Sequence, residues 1–151
     1  MPKVYHVKAR KDYPNFGIKK GDQHYTWTLK TGPRTSREFR QIAPPRRSQL
    51  TTSEFLSTVY DLEDRLASVD NEDDARSLVD ELNQLADEQD DKLSNMPEGL
   101  KQGPTGQQIE ARAEGCREAA NEIESLLDNH ADEDDWEDTM HQVREVVINY
   151  E

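Results

Sequence analysis

The chain is predicted to be an α+β protein: a small N-terminal antiparallel β meander followed by a mainly helical body of about four helices built around an antiparallel helical hairpin. Three observations carry this expectation. Apolar and polar residues alternate with period two in the first part of the chain, the pattern of half-buried strands. Ala43-Pro44-Pro45-Arg46-Arg47 then forms a stiff, polyproline-like connector. Beyond it, apolar residues recur at helical spacing. The expected organisation is therefore a head at residues 1–43, a Pro/Arg linker at 44–50 and a helical body at 51–151.

Within the head, residues 4–9 set Tyr5, Val7 and Ala9 against His6 and Lys8. Residues 22–30 set Tyr25, Trp27 and Leu29 against His24, Thr26, Thr28 and Lys30. Tyr13-Pro14-Asn15-Phe16-Gly17 and Lys20-Gly21-Asp22 supply turn chemistry between them, and Thr31-Gly32-Pro33 a second turn. Residues 35–39 then return as a short third strand. A meander this small needs packing against a helix for stability.

In the body, Thr51-Thr52-Ser53-Glu54 reads as a capping box, with Leu50 and Phe55 as its hydrophobic staple. The helix it opens carries Phe55, Val59, Leu62 and Leu66 on one stripe, widened by Leu56 and Tyr60. A second helix is expected from Asn71, with Glu72, Asp73 and Asp74 complementing its dipole. Its stripe is Ala75, Leu78, Val79, Leu82, Leu85, Ala86, Leu93 and Met96, with an interruption at Gln89. Pro97-Glu98-Gly99 and Gly103-Pro104 separate it from a third helix, for which Thr105 and Gln108 form a further capping box. There Ile109, Ala113, Cys116, Ala120, Ile123 and Leu127 make an a/d seam whose small residues imply close helix approach. A last helical segment carries Trp136, Met140, Val143, Val147 and Tyr150.

Composition narrows the function. Of 151 residues only 32% are hydrophobic and 34% are charged, so the core is small and a homodimer is one way to complete it. Residues 1–50 hold 12 Lys+Arg against 3 Asp+Glu, and residues 51–151 hold 7 against 29. The head is thus +9 and the body −22. Such a split concerns partners rather than fold. Cys116 is the one cysteine, which excludes an intrachain disulfide or a cysteine-based zinc site. The four histidines are scattered, the acidic runs lack the glycine of a calcium loop, and nucleophile-elbow, phosphate-loop and dinucleotide motifs are missing. No enzyme, cofactor or metal is expected. Met1-Pro2-Lys3-Val4 opens no apolar leader and no window spans a bilayer, so the expected setting is soluble, cytoplasmic and without membrane contact.

Two charged surfaces are the candidate sites. Lys8, Arg10, Lys11, Lys19, Lys20, Arg34, Arg37, Arg46 and Arg47 form a basic set that can neutralise phosphates or meet an acidic protein face. It can equally dock on the chain's own acidic body. The aromatics among these cations are expected to be the head's own core. Asp132, Glu133, Asp134, Asp135, Glu137 and Asp138 form an acidic run. Carboxylates on helices can imitate a phosphate backbone; acids at a helix start also simply complement its dipole.

Several segments together carry a resemblance. Lys8-Ala9-Arg10-Lys11-Asp12, Gly17-Ile18-Lys19-Lys20-Gly21-Asp22 and Pro45-Arg46-Arg47-Ser48-Gln49-Leu50-Thr51 resemble small uncharacterised proteins of tailed bacteriophages. So do Asn95-Met96-Pro97-Glu98-Gly99-Leu100 and Gly103-Pro104-Thr105-Gly106. The resemblance spans about the first 130 residues and rests on motif order. It implies a viral protein expressed in a bacterial host cell, and it brings no functional residue with it. One departure stands out: residues 22–30 hold a single Trp and one Tyr where the group implies a denser aromatic cluster.

The functional expectation is a non-enzymatic phage-type interaction protein that binds a host or phage nucleic-acid-handling complex. Its sharpest form is an anti-defence inhibitor whose acidic surface mimics nucleic acid and captures a protein target in such a complex. The alternative is an accessory protein that binds nucleic acid directly through the basic head.

Overall fold

A computed structural model describes residues 1–129 and 135–151. It is α+β, with a three-stranded antiparallel sheet followed by helices. The chain forms two compact units, Met1–Asp61 and Leu62–Glu151.

The first unit is built on strands β1 (Tyr5–Lys8), β2 (Gln23–Lys30) and β3 (Ser36–Gln41), in that spatial order. Two antiparallel turns close it, and β3 runs two residues past the expected residue 39. Directly opposed residues share a face, so the register defines two surfaces. On one, His6 opposes Tyr25 with stacked rings, and Trp27 opposes Phe39 with ring centroids 5.6 Å apart. Trp27 and Leu29 are buried here, as the alternation predicts. On the other, Tyr5, Thr26 and Arg40 lie in one cross-strand row, and His24 lies opposite Val7. His24 is the surprise, since it is fully buried rather than part of a polar outer face.

Helix α1 (Glu54–Ala67) follows a 3-10 turn at Arg47–Leu50. Its cap differs from the expected box by two residues. Ser53 Oγ accepts from the Leu56 amide at 3.3 Å, while Thr51 Oγ1 accepts from the Ser53 amide at 3.1 Å. The boundary between the units falls inside α1, beyond the 44–50 linker. Within the first unit the linker is anchored rather than free. Ser57 Oγ donates to the Ser48 carbonyl at 3.1 Å, Gln41 and Gln49 exchange side-chain hydrogen bonds, and the Arg47 guanidinium lies 4.0 Å over the Tyr60 ring.

The second unit is organised by α2 (Glu72–Ser94) and α4 (Pro104–Asp128), joined through the one-turn α3 (Glu98–Lys101). Asn71 caps α2 as expected, its side chain accepting from the Asp74 amide at 2.8 Å. By contrast, α4 is opened by Pro104 at its first position after Gly103, with no side-chain cap, so Thr105 lies inside the helix. Ion pairs fix the antiparallel sense: Arg76 near the start of α2 reaches Asp128 at the end of α4, and Arg117 reaches Asp87 and Asp90. The seam buries Ala75, Leu78, Val79, Leu82, Leu85 and Ala86 of α2, with Ala113, Cys116, Ala120, Ile123 and Leu127 of α4. It is satisfied within one chain. Gln89 does not interrupt the stripe; it is 2% exposed, and its Nε2 has no partner among the described residues.

The last segment departs from the expected helix. α5 (Trp136–Arg144) buries Met140 and Val143, and Arg144 Nε donates to the Val69 carbonyl at 2.7 Å. The chain then becomes extended, so inward positions switch to period two: Val146 and Ile148 are buried and Val147 is 76% exposed. This segment crosses α4 at Gly115. A Cβ there would stand 1.4 Å from the Asn149 carbonyl oxygen, so only glycine permits the approach. Gly115→Ala is therefore expected to displace residues 146–151 and cost about 1–3 kcal/mol. A lowered denaturation midpoint with early proteolysis of the C-terminal segment would record it.

Burial in the seam also governs Cys116. Desolvation pushes its thiol up from an ordinary 9.0 to about 11, against a smaller opposing pull from Arg117. The folded chain thus holds this proton more tightly than the unfolded chain. Its contribution to stability is complete below about pH 9 and is lost as pH rises towards 11. The stability of a Cys116→Ala variant is expected to fall less steeply over that window. The native thiol is expected to resist a thiol reagent at pH 8 until the chain is unfolded.

Candidate functional site

The sequence-predicted cations divide into three groups. One surrounds Tyr13 on the sheet face that bears Thr26. A groove of about 630 Å³ there is lined by Val7, Lys8, Ala9, Arg10, Tyr13, Thr26 and Arg40. Lys11 Nζ lies 5.5 Å from the Tyr13 ring centroid, and the Arg40 guanidinium lies 4.1 Å from it. Lys8, Arg10 and Lys11 are exposed. Arg40 was not among the nine predicted contacts, yet it forms the floor.

Arg40 is held by two side-chain partners as well as by Tyr13. Its Nη1 lies 2.8 Å from His24 Nε2, and its Nη2 donates to Glu38. A guanidinium has only donors, so Nε2 of His24 must accept. The proton therefore sits on Nδ1, which donates to the Asp22 carbonyl at 3.3 Å. Both ring nitrogens are thereby committed, which explains a histidine buried in so small a head. The signal was present in the sequence as His24 and Arg40 on neighbouring strands, but only the register brings them together.

The second group lies on the loop between β1 and β2. Lys19 and Lys20 are exposed, and their amides donate to the Asp22 and Asp12 carboxylates at 3.0 and 2.7 Å. Gly21, at φ +97°, closes this turn in a conformation that side chains avoid. Two of the basic segment's three acids thus brace its loop.

The third group lies outside the groove. Arg34 is in the exposed β2–β3 turn, and Arg37 lies on the opposite sheet face, 5.3 Å over Phe39. Arg46 approaches Asp61 at 3.8 Å, and Arg47 covers Tyr60. The structure does not gather all nine cations into one surface.

On the body, Asp132, Glu133 and Asp134 lie outside the described residues. Asp135 is the N-cap residue of α5 without a side-chain cap bond, and Glu137 and Asp138 occupy its first turn. That placement is favourable for a helix dipole. Sequence reasoning missed a more regular acidic array. Glu110, Glu114, Glu118 and Glu122 recur every four residues along α4, all exposed. Successive members stand about 6 Å apart along the helix. None has an ion-pair or hydrogen-bond partner among the described residues. Like charges at this spacing cost about 0.2–0.5 kcal/mol per pair.

The body's arginines are occupied elsewhere. Arg65 grips both oxygens of Glu81, Arg76 binds Glu72 and Asp128, and Arg117 binds Asp90 and Asp87. These carboxylates hold Arg76 and Arg117 further toward the charged form. Among the described residues no group of three His, Cys, Asp or Glu side chains is arranged to hold a metal ion, and no helix is long and apolar enough to cross a membrane.

Arg40→Ala is expected to leave His24 and Glu38 without their partner and to cost about 1–3 kcal/mol in denaturant unfolding. Arg40→Lys is not expected to restore it, because an ammonium cannot lie flat on Tyr13 while bonding both neighbours. Comparison of the chain with known protein families, curated proteins and solved structures finds no match.

Proposed function

We propose that this chain is a non-enzymatic interaction protein that binds a nucleic-acid-handling protein through its acidic helical body, which stands in for a nucleic-acid backbone. A bacterial defence complex is the target that fits this chemistry best, and the phage resemblance points the same way. The observation that carries the proposal is the α4 stripe, Glu110, Glu114, Glu118 and Glu122. It presents evenly spaced negative charge with no counter-ion from the chain's own described residues. Four repelling carboxylates on one face reduce the stability of the helix, a local conflict of the kind that accompanies a binding surface. The acids at the start of α5 extend the negative field, which would steer a basic groove toward the body.

The apolar seam of α2 and α4 is used internally, so partner contact falls to the outer charged faces rather than to the seam. The basic groove on the head favours a second reading, direct contact with nucleic acid, and it is independent of the first.

Tagged protein expressed in a bacterium is expected to capture a basic nuclease or its guide-carrying complex. Changing the four α4 glutamates to Gln should weaken that capture at least tenfold and reduce its salt sensitivity. Undiminished capture by the quadruple variant, folded to the same thermal midpoint, would remove the mimic proposal.

A further inference from the structure

The sheet face of the head offers a site that the body's proposed role does not use. Cross-strand pairing sets Tyr5, Thr26 and Arg40 in a single row, with their side chains on one face. Tyr5 stands on β1, an edge strand, and is 56% exposed. The head's core uses Trp27, Phe39 and Tyr25 on the opposite face, so the Tyr5 ring is an aromatic surface left to solvent. Thr26 and Arg40 also line the groove of about 630 Å³, within the range of small-ligand sites. Arg10 and Lys11 sit beside it, and neither has a carboxylate partner among the described residues. Glu38, the acid that bonds this cluster, is engaged by Arg40. Lys11 and Arg40 lie over the Tyr13 ring in this groove and Arg10 lines it, with Glu38 the one carboxylate bonded to the cluster among the described residues.

An exposed aromatic beside a concave basic groove is the combination that reads unpaired bases: the ring stacks on a base and the cations follow the phosphodiester. A duplex hides its base faces, and an acidic peptide has no flat surface for Tyr5 to cover. We propose that this groove binds single-stranded nucleic acid. One base stacks on Tyr5, and the adjoining phosphates are held by Arg10 and Lys11, with Arg40 supplying positive charge from the floor. Of the nine head cations predicted from sequence, Arg10 and Lys11 belong to this site. Lys8 pairs with Gln23 and so shares the face of Tyr25, and Lys19, Lys20, Arg34, Arg37, Arg46 and Arg47 lie outside the groove.

Fluorescence anisotropy of the full chain with labelled oligo(dT) and oligo(U), against a duplex of equal length, tests the proposal. The single strands are expected to bind more tightly than the duplex and to weaken as salt rises. Tyr5→Ala should reduce their affinity roughly five- to hundredfold, as loss of one stacked base does, and Tyr5→Phe should retain it. Changing Arg10 and Lys11 together to Ala should flatten the salt slope by about 1.4, the loss of two single-strand phosphate contacts. Arg34→Ala, in the turn outside the groove, should leave affinity unchanged. Thermal midpoints establish that each variant is folded. Preference for duplex, no effect of Tyr5→Ala, or equal loss in Arg34→Ala would each overturn the proposal, as would displacement by polyglutamate without any Tyr5 dependence. The four-glutamine variant of α4 should bind these oligonucleotides at least as tightly, so failure here leaves the body's proposed role untouched.

Discussion

α4 can approach two neighbours closely because its inward face is small over residues 113–120. Ala113, Gly115, Cys116, Ala119 and Ala120 are all buried along it. α2 supplies the complementary volume with Leu78, Val79, Leu82 and Leu85. The C-terminal segment takes the place left open at Gly115. In a chain with a mean hydropathy of −1.06, close approach is how little apolar mass yields a dry core. The same dryness holds the Cys116 thiol in its neutral form. It also leaves the Gln89 amide nitrogen unsatisfied, a cost of about 1–3 kcal/mol that the surrounding packing must exceed.

That packing determines where charge can go. With the apolar residues turned inward, the outer faces of α2 and α4 are left to acids. The few body cations are drawn into pinning the hairpin: Arg76 clamps one end and Arg117 the middle. Among the described residues Glu110, Glu114, Glu118 and Glu122 are left without a counter-ion. A negative surface is therefore a by-product of how this hairpin is held together, and the proposed mimicry would exploit a field the fold already produces. The head solves the opposite problem. Its two nearby acids hold the amides of the loop, Glu38 holds Arg40, and the other cations are left outward.

Much of the architecture was legible because its periods are clean. Alternation located β1 and β2, the turn at residues 31–33 implied β3, and the 3–4 spacing located both long helices and the burial of Ala113 to Leu127. Legibility failed where one segment changes period or where a contact is non-local. Met140 and Val143 obey helical spacing, but Val146 and Ile148 obey period two, and a single helical pattern through both misassigns Val147. Gln89 looked like a break because composition does not distinguish a buried amide from an exposed one. The candidate site was less legible than the fold. Tyr5 and Arg40 are 35 positions apart in sequence, and only the strand register sets them in one row. The α4 glutamates, by contrast, were readable at once from their spacing and were overshadowed by the denser run at 132–138.

The division of the chain inside α1 bears on how such a protein can be inherited. The Pro-Pro connector looks like a natural seam for exchange between genes, since nothing helical or sheet-like would be cut. Yet the turn after it is bonded to α1 through Ser48 and Ser57, and Arg47 rests on Tyr60. Leu29 of the sheet shares an apolar groove with Leu56 and Tyr60. A crossover at the connector would hand the sheet to a new neighbour without the half-helix that completes it. Recombination that preserves the head must therefore fall within the coding sequence of a continuous helix, at a point no composition shift marks. The basic sheet and the half-helix that completes it are consequently the piece that must travel together, whatever hairpin follows.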